Sequence, residues 1–148
     1  MNTHSYLRAF LAGIFLPTLV LPIVLTIFIV VRIMLAVPVP IEQAMIFPMA
    51  VVPTIFGLWN MLWLGSRHRM HLPIGVHGAI LPFLLMPAGA TTAGCLGVLT
   101  LSARGATWFH ACEIPYTLLA PCFVAGLAGY YLAWKYIVGT LNRVMGIA

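Results

Sequence analysis

Charge is what this chain has least of. Nine of its 148 residues are charged, seven Lys or Arg against two Glu, and there is no Asp. A soluble domain carries about a quarter charged residues. With 63% of the sequence hydrophobic, there is too little polar surface to coat a globule, and the expected solvent is lipid. Cysteine is nearly as scarce. Cys95, Cys112 and Cys122 form no CxxC pair, which leaves neither a zinc pattern nor a paired disulfide framework. The basic residues are scattered, with only Arg67 and Arg69 close together, so the net positive charge does not make a nucleic-acid surface.

What is present is apolar sequence in long runs. The first covers 9–31 and follows Arg8. It is longer than the roughly 7–15 residues of a signal-peptide core. No A-x-A cleavage site follows it, so it reads as a retained membrane helix. Three more runs cover 44–65, 75–101 and 114–134, closed by SRHRMH, SARG and Lys135. Each has about the 20 apolar residues needed to cross a bilayer, and none alternates as barrel strands do. Backbone groups in lipid need partners within their own segment. The expected fold is an all-α integral membrane protein, one four-helix domain over residues 1–148, multi-pass in a bacterial inner (cytoplasmic) membrane.

With four spans, Arg8, Arg67, Arg69, Lys135 and Arg143 share one side, and Arg32 and Arg104 the other. The positive-inside rule then puts both termini in the cytoplasm. Trp59 and Trp63, and Tyr130, Tyr131, Trp134 and Tyr136, fall near the inner ends of their spans, at the headgroup level that amphipathic rings favour.

Residues 13–22 read GIFLPTLVLP and residues 78–87 read GAILPFLLMP. The copies share Gly13 with Gly78, Leu16 with Leu81, Pro17 with Pro82, Leu19 with Leu84 and Pro22 with Pro87. Both lie in outward-running spans. The inward spans carry Pro48 with Pro53 and Pro115 with Pro121. This pattern suggests two similar proline-kinked helical hairpins related by a pseudo-axis along the membrane normal. A proline inside a helix removes one hydrogen bond and presses on the carbonyl four residues back. For Pro17 and Pro82 that residue is Gly13 or Gly78, where the backbone adjusts most easily. These prolines and glycines are candidate hinges, although static bends that let four helices wrap one another are the plainer reading.

Small residues four apart, Ala90–Gly94, Ala93–Gly97 and Ala125–Gly129, let helices approach closely in lipid. Asn60, the most polar side chain of the second span, is expected to make an interhelical hydrogen bond.

Residues able to carry chemistry are few. Proton- and ion-coupled carriers place an acid or base inside a span, whereas Glu42 and Glu113 both fall between spans. In size and span number the chain resembles the small multidrug transporters. Those rely on a buried glutamate in the first helix, and none stands in this first span. Four-helix proteins of the vitamin K reductase kind need a CxxC pair, which is also missing. His77 is the one histidine in an apolar run, and a haem held by two histidines lacks its second ligand at matching depth. His110, Cys112 and Glu113, with Glu42 from the other outer loop, are metal-capable types, but their spacing is not a specific signature. No cofactor is expected.

Two functions fit. The first is a non-catalytic membrane subunit or assembly partner, with the lipid bilayer and other membrane subunits, or further copies of itself, as partners. The second is a small homo-oligomeric transporter or channel for a neutral or hydrophobic solute, its passage drawn from Thr18, Asn60, Thr91, Thr92 and Thr117. The orientation is directly testable. A reporter fused after Ala148 is expected to report the cytoplasm, and activity of a periplasm-dependent reporter at that position contradicts the assignment.

Overall fold

The computed structural model describes residues 3–36, 41, 47–110 and 112–147. Its elements are α1 (Thr3–Met34), α2 (Phe47–Met70), α3 (Ile74–Cys95), β1 (Leu99–Leu101), β2 (Gly105–Trp108), β3 (Cys112–Pro115), α4 (Tyr116–Leu132), a π-helical segment (Ala133–Val138) and α5 (Gly139–Val144). Four helices, His4–Met34, Pro48–Arg67, Ile74–Cys95 and Tyr116–Val144, are long and apolar enough to cross a membrane. The apolar runs take this form because hydrocarbon offers no other partner for a backbone N–H or C=O.

Every span has a boundary that differs from the sequence reading, the second running past 65 to Met70. The first helix starts earlier and ends later than 9–31. The last one does not close at Lys135 but continues through the π-helical segment and α5 to Val144. The third stops at Cys95 rather than running to 101. Its stop is a Schellman cap. Gly97 takes φ +70, its N–H reaches Gly94 O at 3.0 Å, and the Val98 N–H reaches Ala93 O at 2.8 Å. This is the left-handed glycine stop that closes many helices.

The chain is therefore not wholly α. Between α3 and α4 it folds into an antiparallel three-stranded meander, β1-β2-β3, pairing Leu99 with Trp108 and Trp108 with Cys112. The first turn is closed by Ser102, whose Oγ accepts from Arg104 N at 3.2 Å and Gly105 N at 3.1 Å. The second holds Phe109 and His110 at φ 56 and 54, as mirror-image hairpin turns require.

The helices pair as two hairpins. α1 lies antiparallel to α2, with Tyr6 beside Gly65 and Phe10 and Ile14 against Gly57. α3 lies antiparallel to the last helix, with Gly75 facing Tyr131, Gly78 facing Trp134, and Phe83 edge-on to Phe123. Gly13, Gly57, Gly75 and Gly78 are the points of close approach. The opposite face of α1 shows Leu7, Leu11, Phe15, Leu19, Ile23 and Ile27, one residue per turn, as a helix lying in lipid does.

The core sits toward one end. Phe56, Leu81, Trp134 and Val138 form its main cluster, and Ala9, Leu64 and Ile147 a second. The inward-facing stripe of the last helix runs through Leu127, Tyr130, Trp134, Val138 and Asn142, and so continues across the π-helical segment, while Ile137 is exposed.

Gly78 and Gly126 give opposite expectations. A Cβ at Gly78 collides with the Trp134 ring, whereas one at Gly126 meets nothing within 4 Å. In detergent-mixed-micelle unfolding, Gly78→Ala is expected to lose about 1–3 kcal/mol through overpacking. Gly126→Ala is expected to be neutral or to gain up to about 1 kcal/mol in helix propensity.

Candidate functional site: a polar knot below an apolar cavity

Asn60 in α2 and Asn142 in α5 are both fully buried. Each amide donates to the other: Asn60 Nδ2 to Asn142 Oδ1 at 2.9 Å, and Asn142 Nδ2 to Asn60 Oδ1 at 3.0 Å. Asn60 Nδ2 also donates to the Ala9 carbonyl of α1 at 2.7 Å. Three helices are thus joined at one amide pair. This close geometry needs Gly13, because a Cβ there would run into the α2 backbone at Phe56 and Gly57.

From the residue next to Asn60 a second polar link crosses from α2 to α3. Trp59 Nε1 donates to the His77 carbonyl at 2.9 Å, and His77 Nε2 donates to the Trp59 carbonyl at 3.0 Å. The two rings stack with centroids 4.7 Å apart. A carbonyl can only accept, so this bond places the histidine proton on Nε2. Trp134 lies edge-on to His77 at 6.2 Å. Its Nε1 is the only buried side-chain N or O without a partner among the described residues, so the indole is held there by its bulk.

Arginines close this end of the bundle. Arg8 Nη1 donates to Met145 O at 3.3 Å, and Arg67 Nη1 donates to Ile147 O while its guanidinium covers the Trp63 ring. Cations at the carbonyl end of a helix oppose its negative pole. Residues 8, 67 and 145–147 therefore meet at one end, and the β meander stands at the other.

Between the hairpins, on the meander side of the knot, is a cavity of about 780 Å³. Its wall includes Phe28, Leu85, Gly89, Trp108, Phe109 and Tyr130, and is almost entirely apolar. A smaller space of about 320 Å³ adjoins it along Pro17, Phe56 and Gly129. The two share Leu21, Val52 and Tyr130.

The candidate residues distribute as follows. His77 is a tie between α2 and α3, with Nε2 already engaged. His110 stands at a hairpin tip and Cys112 and Glu113 on β3, all exposed. Neighbouring strand residues point to opposite faces, which separates Cys112 from Glu113. Glu42 lies outside the described residues. Among the described residues no three His, Cys, Asp or Glu groups gather as a metal site. Pro17, Pro22, Pro53, Pro82, Pro87 and Pro121 lie inside helices. Pro48 is in the first turn of α2 and Pro115 caps α4, positions whose N–H would have no helical partner in any case. Gly97 is a helix stop rather than part of a packing face, which corrects the Ala93–Gly97 pairing. Gly129 meets nothing within 4 Å, and Ala90, Gly94 and Ala125 are exposed. Of the polar passage residues only Thr92 lines the large cavity. Thr18, Thr91 and Thr117 are exposed, and Asn60 is locked in the knot.

Asn142 and Thr26 were missed. Asn142 fell beyond the expected end of the fourth span. Thr26 pairs with Thr91, read above only as a passage residue, to extend the repeat: each donates to the carbonyl of the second proline of its copy, Pro22 or Pro87, at 2.8 Å. A threonine four residues after each proline was the available signal.

His77→Phe and Trp59→Phe each keep a ring but remove one of the two cross-helix hydrogen bonds. Each is expected to lower stability in mixed-micelle unfolding by about 0.5–1.5 kcal/mol. No known family, no curated protein and no solved structure matches this chain.

Proposed function

We propose that this chain is a non-catalytic integral membrane subunit or assembly partner of a larger membrane complex. The observation that carries the reading is the unequal use of its small residues. Gly13, Gly57, Gly75 and Gly78 draw the chain's own helices together, whereas Ala90, Gly94, Ala125 and Gly126 are left exposed on α3 and α4. Glycine inside a helix costs about 1 kcal/mol relative to alanine. Small residues open to lipid recover that loss when a second helix approaches them. In this reading the chain sits in a bacterial inner membrane with both termini in the cytoplasm, the end bearing Arg8, Arg67 and Arg143 facing inward.

The two hairpins are read as a proline-kinked internal repeat. Gly13 and Gly78 are both buried, Pro17 and Pro82 are both buried, and Pro22 and Pro87 are both exposed. This equivalence supports the repeat beyond the letters themselves.

The second reading, a homo-oligomeric carrier or channel for a neutral or hydrophobic solute, is favoured by the cavity of about 780 Å³ between the hairpins. Native mass spectrometry after gentle extraction separates the two. The assembly reading predicts other polypeptides in the complex, and their loss in Gly126→Leu without a change in the thermal stability of the isolated chain. A pure self-assembly that survives Gly126→Leu contradicts it and moves the carrier forward.

A further inference from the structure

We propose that the large cavity between the hairpins is a binding site for one neutral, lipid-soluble molecule of the quinone class: a flat ring bearing carbonyl acceptors. The volume, about 780 Å³, lies within the roughly 300–1,000 Å³ of pockets that hold one drug-sized ligand. Among the described residues the wall has no Lys, Arg, His, Asp or Glu side chain. A phosphate headgroup or a fatty-acid carboxylate finds no counter-charge there, which a buried charge needs.

Among the described residues the polar side chains bordering the wall are Thr92, Trp108, Cys112 and Tyr130, each of which can donate and none of which is charged. The Tyr130 O–H and the Trp108 N–H have no hydrogen-bond partner among the described residues. The Thr92 hydroxyl already donates to Ala88 O at 2.9 Å. Donors without charge select acceptors on a neutral ligand, and bare acyl chains leave both donors unmatched. The shape of the wall agrees. Phe28, Trp108, Phe109 and Tyr130 all border the space, with Phe28 and Phe109 edge-on at 6.2 Å. Aromatic walls hold a planar ring by stacking and edge contacts. The site is the same cavity that favours the carrier reading, but binding does not rest on that reading, since an assembly subunit can keep a resident ligand and no transport is needed.

The test is titration of the purified full chain in detergent with decylubiquinone, read by quenching of tryptophan fluorescence. Decylbenzene and dioleoyl phosphatidylcholine serve as comparison ligands. Two variants address the site separately. Tyr130→Phe removes one donor. Gly89→Leu fills the cavity, because Gly89 borders it and a Cβ there meets nothing within 4 Å. The expected result is saturable quinone binding, weakened about three- to tenfold by Tyr130→Phe and lost in Gly89→Leu, with both variants keeping the unfolding midpoint of the free protein. Should Gly89→Leu lower that midpoint, Tyr130→Phe and the comparison ligands decide. Absence of saturable binding overturns the proposal. So does equal affinity for decylbenzene, displacement by phosphatidylcholine, or a Tyr130→Phe affinity equal to that of the parent chain.

Discussion

Asn60 makes three hydrogen bonds from a position with no exposure at all, two with Asn142 and one to the Ala9 carbonyl. In a bilayer the helices gain little from hiding apolar surface from one another, because lipid is equally apolar. Their arrangement rests on close packing and on polar groups that have nowhere else to bond. The amide pair fixes α1, α2 and α5 in depth and rotation together. Gly13 permits the approach to α2, Gly78 admits Trp134, and the last helix runs on through the π-helical segment to bring Asn142 to Asn60. The arginines then fasten the carbonyl end of α5 over the same region.

This end of the molecule is closed, and the other is not. Around the knot lie the buried clusters of Phe56, Leu81, Trp134 and Val138, and of Ala9, Leu64 and Ile147. Toward the meander the hairpins part around the cavity, whose outer wall is carried by Val98, Trp108 and Phe109. The meander thus forms part of the cavity wall as well as the connection between α3 and α4. The closed end holds the polar ties and the open half holds the space, so a ligand or partner helix can act on one without breaking the other.

Much of the helical frame was legible because charge and length alone define a span. Arg8, Arg32, the SRHRMH segment that ends α2 and the SARG turn lie close to helix ends or to the turn of the meander. The repeated Gly and Pro positions also led to real points of interest, although Gly13 and Gly78 were read for hinge freedom rather than for contact. What escaped depended on three-dimensional register. Leu99 and Leu101 are as apolar as any helix residue, and only the left-handed turn at Gly97 separates them from α3. Lys135 looked like the end of a span, yet between Tyr131 and Tyr136 its ammonium is held over both rings, and the helix continues. Asn142 escaped because it lies beyond Lys135, where the fourth span was read to close. The cavity is a property of how far two hairpins stand apart, which no single segment encodes.

The central claim is that the buried amide pair acts as one unit that orders the bundle. A double-mutant cycle with Asn60→Leu, Asn142→Leu and the double variant, followed by unfolding in mixed micelles, tests it most directly. Interhelical hydrogen bonds in membrane proteins average about 0.6 kcal/mol and reach about 1.7. Either single change strands the remaining buried amide, so each is expected to destabilise about as much as the double, with a coupling energy of about 1 kcal/mol or more. Additive effects with a coupling near zero would contradict the account and leave the close glycine contacts as what holds the helices in register.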